Sequence, residues 1–339
     1  VKQIKAEEKS TAVPNFDPEF LARARYENNM VRKAERLDGN LGYLKLDLFI
    51  DVRISKPTLV AAMNFLHNSD GLIIDLRKNG GGNASTVNFL LNYFLPDSTL
   101  TSQFKSRLTK MTTDIYTEYD PAIQKFSNNI PLYILVSKRT SSAAEAFAYT
   151  LQSFKRATIM GDTTNGEANP GYAFVLNSDM FIMIPTSVNK NVITHTNWQG
   201  VGVVPDILIS SSKALDAAQG NAYKELGKSA KDTKLKAMYD WLSTGYSAKA
   251  FPVTVPENVL KSFTGDYENS RKITLDQKEL FYERAGGSER KKLLPVTPEI
   301  FELEGSAFFR VRFIKNKNGE TIALEAMYDD GEREISKRL

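Results

Sequence analysis

Four short apolar runs, separated by stretches with helical spacing, dominate the first half of the chain. The runs lie at residues 41–49, 71–77, 131–136 and 157–160. The two central runs are almost continuously apolar, which is typical of strands buried on both faces of a sheet. Between the runs, apolar positions recur every three or four residues, as they do on the buried face of a helix. Strands that alternate with helices in this way predict an α/β domain with a parallel sheet.

Proline and serine mark the predicted helix ends. Pro57 predicts the first turn of one helix, Pro96 follows the end of a second, and Ser142 begins a third. Residues 1–40 are polar and charged, so we expect a loose lead-in there, with a short helix from Asp17 to Arg36. Short strands at 172–176 and 180–185 predict a hairpin added to the core.

The hydrophobic period changes from 3.6 to 2 beyond Pro256. Phe309, Val311 and Phe313 alternate with polar residues, and sequences such as Asn318-Gly319 supply turns. This pattern predicts a small antiparallel β domain, a barrel or a sandwich. The sequence therefore divides into a lead-in at 1–40, an α/β core at 41–212, a helical extension at 213–250 and an all-β domain at 255–339.

The composition excludes several kinds of chemistry and says less about the fold. The chain has 339 residues, and its formal net charge of +4 is too small to argue for nucleic acid. It has no cysteine and two histidines, His67 and His195, which excludes thiol chemistry and a histidine-rich metal site. We predict neither a metal nor a cofactor. The apolar runs are also far shorter than the ~18 residues that a membrane-spanning helix needs.

Three glycines, Gly80 to Gly82, directly follow the buried run at 71–77. Glycines let backbone amides approach a ligand closely, so such a loop can cradle a phosphate or form an oxyanion hole. The loop has neither the lysine of a phosphate-binding P-loop nor the spaced glycines of a dinucleotide site. The alternative is an ordinary tight turn between a strand and a helix.

Ser142 stands at the predicted start of a helix that follows another buried run. The amides and the dipole of a helix start stabilise a developing anion, which favours a nucleophile at this position. The alternative is a capping box, because Glu145 follows Ser142 at the required spacing. Both Ser142 and the glycines lie at carboxyl ends of buried strands, where α/β sheets place their sites, so we expect them to face one crevice.

Two further segments could border the same crevice. The polar loop 161–171 contains Thr163 and Thr164, and the segment 195–206 contains His195 and Trp198. We interpret Trp198 and the two threonines as candidate substrate contacts. His195 is an alternative candidate for a general base, although such a residue is more often part of a surface loop. His67 is expected to pack at a helix end.

Residues 41–210 resemble the C-terminal-processing serine peptidases, which include tail-specific proteases and the tricorn core protease. The sequence is most similar to the branch of the interphotoreceptor retinoid-binding protein modules. Four blocks carry the resemblance, in order: Gly42-Tyr43-Leu44; residues 72–82 (LIIDLRKNGGG); residues 141–149 (SSAAEAFAY); and residues 161–171 with 197–206 (GDTTNGEANPG and NWQGVGVVPD). The agreement of several blocks in the right order is far more specific than any one of them.

The resemblance implies a ClpP/crotonase-like ββα core and peptide hydrolysis through an acyl-enzyme. It makes Ser142 the nucleophile, and it implies an oxyanion hole from the amides of Ala143 and a glycine at 80 or 81. The substrate would be a peptide or protein, and the oligomeric state is left open. The family's setting implies a bacterial protein in the periplasm, secreted or at the cell surface.

The sequence departs from the family pattern at the general base. The tail-specific branch has a lysine 25 positions after the nucleophile, where this chain has Glu167. The tricorn-like branch has a glutamate where this chain has Gln199, and a histidine upstream of the first core strand, which is not found here. We therefore expect a chain that is either incomplete at its N-terminus or catalytically impaired. The alternative function is an inactive module that binds a peptide or an apolar, retinoid-like ligand.

Overall fold

Two compact units, residues 1–214 and 215–339, make up the chain. The computed structural model describes residues 16–284 and 290–339. The helices after residue 214 belong to the same unit as the β strands that follow them. The predicted division at 1–40, 41–212, 213–250 and 255–339 stays a prediction.

The first unit contains four helices and eleven strands among its described residues. The helices are α1 (Pro18–Tyr26), α2 (Val52–Leu66), α3 (Ala84–Leu91) and α4 (Ala143–Ser153). The strands are β1 (Val31–Leu37), β2 (Leu41–Leu46), β3 (Gly71–Asp75), β4 (Leu100–Ser106), β5 (Thr112–Tyr116), β6 (Leu132–Val136), β7 (Thr158–Gly161), β8 (Gly171–Val175), β9 (Phe181–Pro185), β10 (Ser187–Asn191) and β11 (Ile207–Leu208).

A six-stranded sheet forms the centre of this unit, with the order β1-β2-β3-β6-β7-β11. Every pairing from β2 to β11 is parallel, and β1 runs antiparallel at the edge. All residues of β3 and β6 are buried, as their apolar runs predict. Apolar side chains of α2, α3 and α4 share one core with the sheet. The predicted α/β class is confirmed.

The structure corrects two predictions near the N-terminus. The helix predicted from Asp17 to Arg36 ends at Tyr26, and residues 31–37 form strand β1 of the central sheet instead of a loose lead-in. Residues 1–15 lie outside the described residues. Helix α2 begins at Val52, where Asp51 accepts a hydrogen bond from the Arg53 amide at 2.9 Å, so Pro57 lies inside the helix rather than at its start.

Two smaller sheets accompany the central one. Strands β10, β4 and β5 form an antiparallel sheet that the sequence analysis does not predict. Strands β8 and β9 form the expected hairpin, with Tyr172 opposite Ile184 and Val175 opposite Phe181. Most large apolar side chains on both hairpin faces are exposed, for example 66% at Phe181 and 57% at Met183.

The second unit consists of three helices and eight strands among its described residues. The helices are α5 (Ala214–Ser229), α6 (Thr233–Ala250) and α7 (Glu257–Phe263). The strands are β12 (Gly265–Tyr267), β13 (Arg271–Asp276), β14 (Glu279–Arg284), β15 (Lys291–Pro295), β16 (Ile300–Leu303), β17 (Ser306–Lys315), β18 (Thr321–Tyr328) and β19 (Arg333–Lys337).

These eight strands pair antiparallel in chain order, and the first also meets the end of the last. A bridge between Tyr267 and Arg338 makes this contact, and the Leu339 amide donates to the Asp266 carbonyl at 2.9 Å. The sheet therefore nearly closes into a small barrel, which is one of the two architectures that the period of two predicts. Helix α6 lies on the barrel, because the Trp241 indole donates to the Ala307 carbonyl at 3.0 Å and the Arg310 guanidinium stacks 3.9 Å from the indole ring.

Across the described residues of both units, every helix is too short or too polar to cross a lipid bilayer.

Candidate active site

Ser142 occupies the turn between β6 and α4, at the carboxyl edge of the central sheet. Its backbone has φ 53° and ψ −117°, a combination that is costly for a residue with a side chain. The side chain is only partly buried. A strained turn that directs a serine out of a strand-to-helix junction is a recurrent arrangement of nucleophilic serines. The geometry is therefore more specialised than that of an ordinary helix cap.

The glycine loop lies directly against this turn. Gly81 has φ +109°, and a Cβ built on it would lie 2.8 Å from the Ser142 Cβ and 3.2 Å from the Ala143 nitrogen. Only glycine allows so close an approach at this backbone conformation. The Gly81 carbonyl accepts a hydrogen bond from the Phe49 amide at 2.7 Å, which fixes the loop to the segment after β2. The structure thus brings the two predicted elements together.

Ala143 and the glycines supply the candidate oxyanion amides. Ala143 is the first residue of α4, and its amide has no acceptor in the part of the chain that the structure describes. The Gly81 amide donates to Asn79 Oδ1 at 2.9 Å, whereas Gly80 is exposed with open space around its α carbon. Of the two glycines predicted for the oxyanion hole, Gly80 is therefore the one whose amide is left for a ligand. The assignment of the oxyanion amides stays a prediction.

Asn79 links the glycine loop to the serine turn. The side chain is fully buried and donates from Nδ2 to the Leu46 carbonyl at 2.9 Å, while Oδ1 accepts from Gly81. The Asn79 carbonyl accepts from the Ser141 amide at 3.2 Å. Because a buried polar group left without a partner is costly, these bonds define one register between the two loops.

Glu145 holds the serine turn to the loop after β7. The carboxylate is completely buried, and its two oxygens accept four hydrogen bonds. One oxygen accepts from the Ser142 and Glu167 amides at 2.8 and 2.9 Å. The other accepts from the Thr164 hydroxyl at 2.5 Å and the Gly166 amide at 2.6 Å. The sequence predicts only the first of these four bonds, as part of a capping box.

Glu167 stands where the tail-specific branch has its lysine. Its carboxylate accepts a hydrogen bond from the Ser141 hydroxyl at 2.6 Å, and the Asn165 side chain lies 3.3 Å from the same hydroxyl. Glu167 is therefore bonded to the residue before the candidate nucleophile. No base is hydrogen-bonded to the Ser142 hydroxyl among residues 16–284 and 290–339.

The predicted contacts in the polar loop have internal roles in the structure. The Thr164 hydroxyl bonds to Glu145 and also accepts from the Val203 amide at 2.6 Å, while Thr163 is half-buried beside it. Gln199 Oε1 accepts from the Ala168 and Asn169 amides at 2.9 and 3.0 Å. A neutral amide oxygen can make both bonds, so Gln199 stabilises the loop without a charge. Substrate contacts by Thr163 and Thr164 stay predictions.

Trp198 and His195 lie in a loop beside α4, near Tyr149 rather than near Ser142. Trp198 is 2% exposed and packs on the Tyr149 ring at 5.2 Å, which leaves little of its surface for a ligand. The Tyr149 hydroxyl donates to Thr194, the neighbour of His195, at 2.9 Å. Tyr149 is seven residues into the helix from Ser142, or about 10 Å along its axis. The structure therefore places His195 beside the second turn of α4 rather than at its start.

His67 lies at the opposite edge of the sheet. It follows the last residue of α2 and precedes β3, whereas Ser142 follows the carboxyl end of the neighbouring parallel strand β6. Its ring packs on Phe126 at 5.5 Å. The expected packing role of His67 agrees with this position.

A buried ion pair supports the strand that leads into the glycine loop. Asp75, the last residue of β3, accepts hydrogen bonds from the Arg77 guanidinium at 2.6 and 2.9 Å and from the Tyr43 hydroxyl at 2.6 Å. Burial raises the pKa of Asp75, but the Arg77 guanidinium and the Tyr43 hydroxyl more than offset this, so the pKa lies below its ordinary value. Burial and the same carboxylate raise the pKa of Tyr43.

We expect Asp75→Asn to lower the free energy of unfolding at pH 7 by about 3 kcal/mol, because the substitution leaves the Arg77 charge without its partner. Since the folded-state pKa of Asp75 is lowered, its contribution is present above the unfolded value near 4 and is lost as the pH falls through the folded value. Denaturant unfolding at pH 7 and pH 3 measures both effects.

The difference between wild type and Asp75→Asn should therefore shrink at pH 3. Asp114→Asn is the matched control, because Asp114 is exposed and has one side-chain hydrogen bond, from Gln103 at 2.7 Å. It should change the free energy of unfolding by less than about 0.5 kcal/mol. An equal loss in both variants would contradict the assigned role of the ion pair.

Comparison with known proteins identifies the core. Residues 40–209, half of the chain, match the model of peptidase family S41. The chain belongs to this family. It is 27% identical over 180 residues to a carboxy-terminal-processing protease of Bartonella bacilliformis, and 30% identical over 167 residues to the chloroplastic carboxyl-terminal-processing peptidase 2 of Arabidopsis thaliana. Among solved structures, it is similar to a photosystem II D1 C-terminal processing protease, with 22% identity over 50% of this chain and 42% of that one and a TM-score of 0.41.

The chain spans less than half the length of these curated relatives. The matches cover 51% and 49% of this chain, but 40% of the Bartonella protein and 31% of the Arabidopsis protein. The predicted resemblance to C-terminal-processing and tail-specific peptidases is confirmed, and so is the fold class. The finer placement next to the retinoid-binding modules stays a prediction.

Proposed function

We propose that this protein is a serine-type peptidase that hydrolyses peptide bonds through an acyl-enzyme at Ser142. The observation that carries the proposal is the contact between the glycine loop and the strained serine turn, in a chain of peptidase family S41. Strain at a non-glycine residue persists only where the surrounding structure holds it, and such positions cluster at functional sites.

The arrangement supplies the main elements of acyl transfer. The Ser142 hydroxyl oxygen attacks the substrate carbonyl carbon and forms a tetrahedral intermediate with a negatively charged oxygen. The Ala143 amide, the positive end of the α4 dipole and the Gly80 amide are the groups available to stabilise that charge. As the C–N bond breaks, the amine product leaves with the proton that the Ser142 hydroxyl has given up. Water then attacks the acyl carbon, its oxygen leaves in the carboxylic acid product and one of its protons restores the serine hydroxyl.

The experiment that tests this function is peptide hydrolysis. The purified chain is incubated with a mixture of unrelated peptides, and products are identified by mass spectrometry over time. We expect new peptide termini that accumulate over time, at a rate that increases with the enzyme concentration. Cleavage of esters without cleavage of any peptide would point to a different hydrolase, and a folded sample that cleaves neither would contradict the proposal.

A second candidate is a binding module that has lost hydrolysis. Gln199 favours it, because an amide that accepts from two backbone amides occupies the position of the family's acidic residue. For this candidate we expect saturable binding of a peptide or of an apolar, retinoid-like ligand. The Kd should be the same in wild type and Ser142→Ala, and neither should turn the ligand over. Peptide cleavage that depends on Ser142 would exclude it.

We also propose that the protein acts on peptide or protein substrates outside the bacterial cytoplasm. Its location would be the periplasm, the cell surface or the medium into which it is secreted. Its relatives come from bacteria and from chloroplasts. Fractionation of the source cells, with detection of the chain in each compartment, tests the localisation. Recovery in the cytoplasmic fraction alone would contradict it.

A further inference from the structure

We propose that Glu145 is a positioning residue that sustains the reactive conformation of Ser142 by tying it to the loop after β7. The inference rests on the proposed function of Ser142. It assigns Glu145 a task beyond helix capping, because three of its four hydrogen bonds come from outside α4 and its N-terminal turn.

The burial of Glu145 is the first argument. A carboxylate that is 0% exposed loses all contact with water, which is unfavourable unless hydrogen bonds replace that contact. The described residues provide this carboxylate with four donors and no ion-pair partner. A helix cap alone needs only one of these bonds, so capping does not explain why the carboxylate is buried.

Strain at Ser142 gives independent support to this role. The φ of 53° and ψ of −117° lie outside the favoured regions for a residue with a side chain. The Ser142 amide donates to Glu145 at 2.8 Å, and the same oxygen accepts the Glu167 amide from the facing loop at 2.9 Å. Any relaxation of the serine backbone would turn this amide away from the carboxylate and leave a buried acceptor short of a donor.

The loop after β7 is itself held in place by several hydrogen bonds. Thr164 and Gly166 bond to the second oxygen of Glu145, and the Asn165 amide donates to the Thr140 carbonyl at 3.0 Å. The ordered loop therefore fixes the orientation of the carboxylate, and the carboxylate fixes the serine. Ordering of this loop and reactivity of Ser142 are coupled through one side chain.

The test compares Glu145→Gln with wild type in their reaction with a fluorophosphonate probe. The glutamine NH2 group replaces one carboxylate oxygen and would face at least one backbone N–H donor, so at least one of the four bonds is lost with almost no change of volume. We expect the maximal labelling rate at saturating probe to fall about 100-fold, the size of effect that a misplacement of about 1 Å produces. The probe concentration for half-maximal rate should change little, because the probe site is not altered.

Two further variants separate positioning from general damage. Glu118→Gln removes an exposed carboxylate of the same unit and should label like wild type. Thr164→Val removes one donor to Glu145, keeps the side-chain volume and should slow labelling by a smaller factor, about 10-fold. It also serves as the test if Glu145→Gln does not fold.

Each outcome has a distinct meaning. The inference is supported if the wild type is labelled and folded Glu145→Gln is labelled slowly, with both rates measured well below the Tm of the variant. Equal maximal rates in wild type, Glu145→Gln and Thr164→Val would overturn it while leaving the proposed function intact. A wild-type chain that does not label at all would instead overturn the proposed function on which the inference rests.

Discussion

Ser142→Ala is expected to abolish peptide hydrolysis, with kcat reduced by at least about 1,000-fold, because the substitution removes the oxygen that forms the acyl-enzyme. The free energy of unfolding should stay the same or rise. The hydroxyl is not part of the core, so its removal costs no packing, and the backbone at φ 53° is strained in alanine as it is in serine. Initial rates of peptide cleavage and a thermal melt of the same sample measure the two quantities.

Ser153→Ala is the matched control for this experiment. Ser153 is the last residue of α4, and its hydroxyl donates to the Tyr149 carbonyl at 2.7 Å. The same change of side chain on the same helix, about 16 Å from Ser142 along its axis, should leave kcat within about twofold of wild type. If Ser142→Ala cleaves peptides at the wild-type rate, another residue is the nucleophile.

Gly81→Ala is expected to separate the glycine loop from the serine turn. Its φ of +109° is unfavourable for alanine, and the new methyl group would lie 2.8 Å from the Ser142 Cβ and 2.9 Å from the Ser141 carbonyl oxygen. We expect a loss of about 2 kcal/mol in the free energy of unfolding and a fall in hydrolysis of more than about 100-fold. Denaturant unfolding and peptide cleavage measure these effects.

Gly80→Ala is the control for this loop. A Cβ at Gly80 meets nothing within 4 Å, and its φ is not in the left-handed region, so the free energy of unfolding should change by less than about 0.5 kcal/mol. Similar stability losses in the two variants would mean that the close approach of Gly81 to Ser142 does not constrain the turn.

The buried strands of the central sheet can be predicted from the sequence because few other structures have their pattern of residues. Strands β3 and β6 are short, apolar and bounded by turn residues, and parallel strands covered on both faces have this composition. Strand β1 cannot be found in this way. Its sequence, Val-Arg-Lys-Ala-Glu-Arg-Leu, belongs to an edge strand in which all residues but Val31 are exposed or partly exposed, so its apolar signal is weak.

The start of α2 is predicted too late for a related reason. Pro57 favours the first turn of a helix, but Asp51 caps the helix six residues earlier, and the tertiary packing of Leu59 and Leu66 outweighs the lost proline amide. A local preference indicates where a helix can begin, and packing decides where it does.

The candidate site is only partly visible in the sequence. The nearness of Gly81 and Ser142 follows from a general property of parallel sheets, whose carboxyl ends meet at one edge. The four bonds of Glu145 come from residues up to 22 positions away, and no periodicity encodes such contacts. Likewise, the internal bonds of Thr164 and the burial of Trp198 depend on how the loops pack, so the sequence can name these residues but not their surroundings.

The most direct test of the central claim is the position of a covalent adduct. The folded chain is treated with a fluorophosphonate, whose phosphorus is attacked by an activated serine oxygen with loss of fluoride, and the protein is then digested and sequenced by mass spectrometry. We predict one phosphonylated residue, Ser142, and no adduct in Ser142→Ala. An adduct on Ser141 or on another serine, or a folded wild-type chain without any adduct, would contradict it.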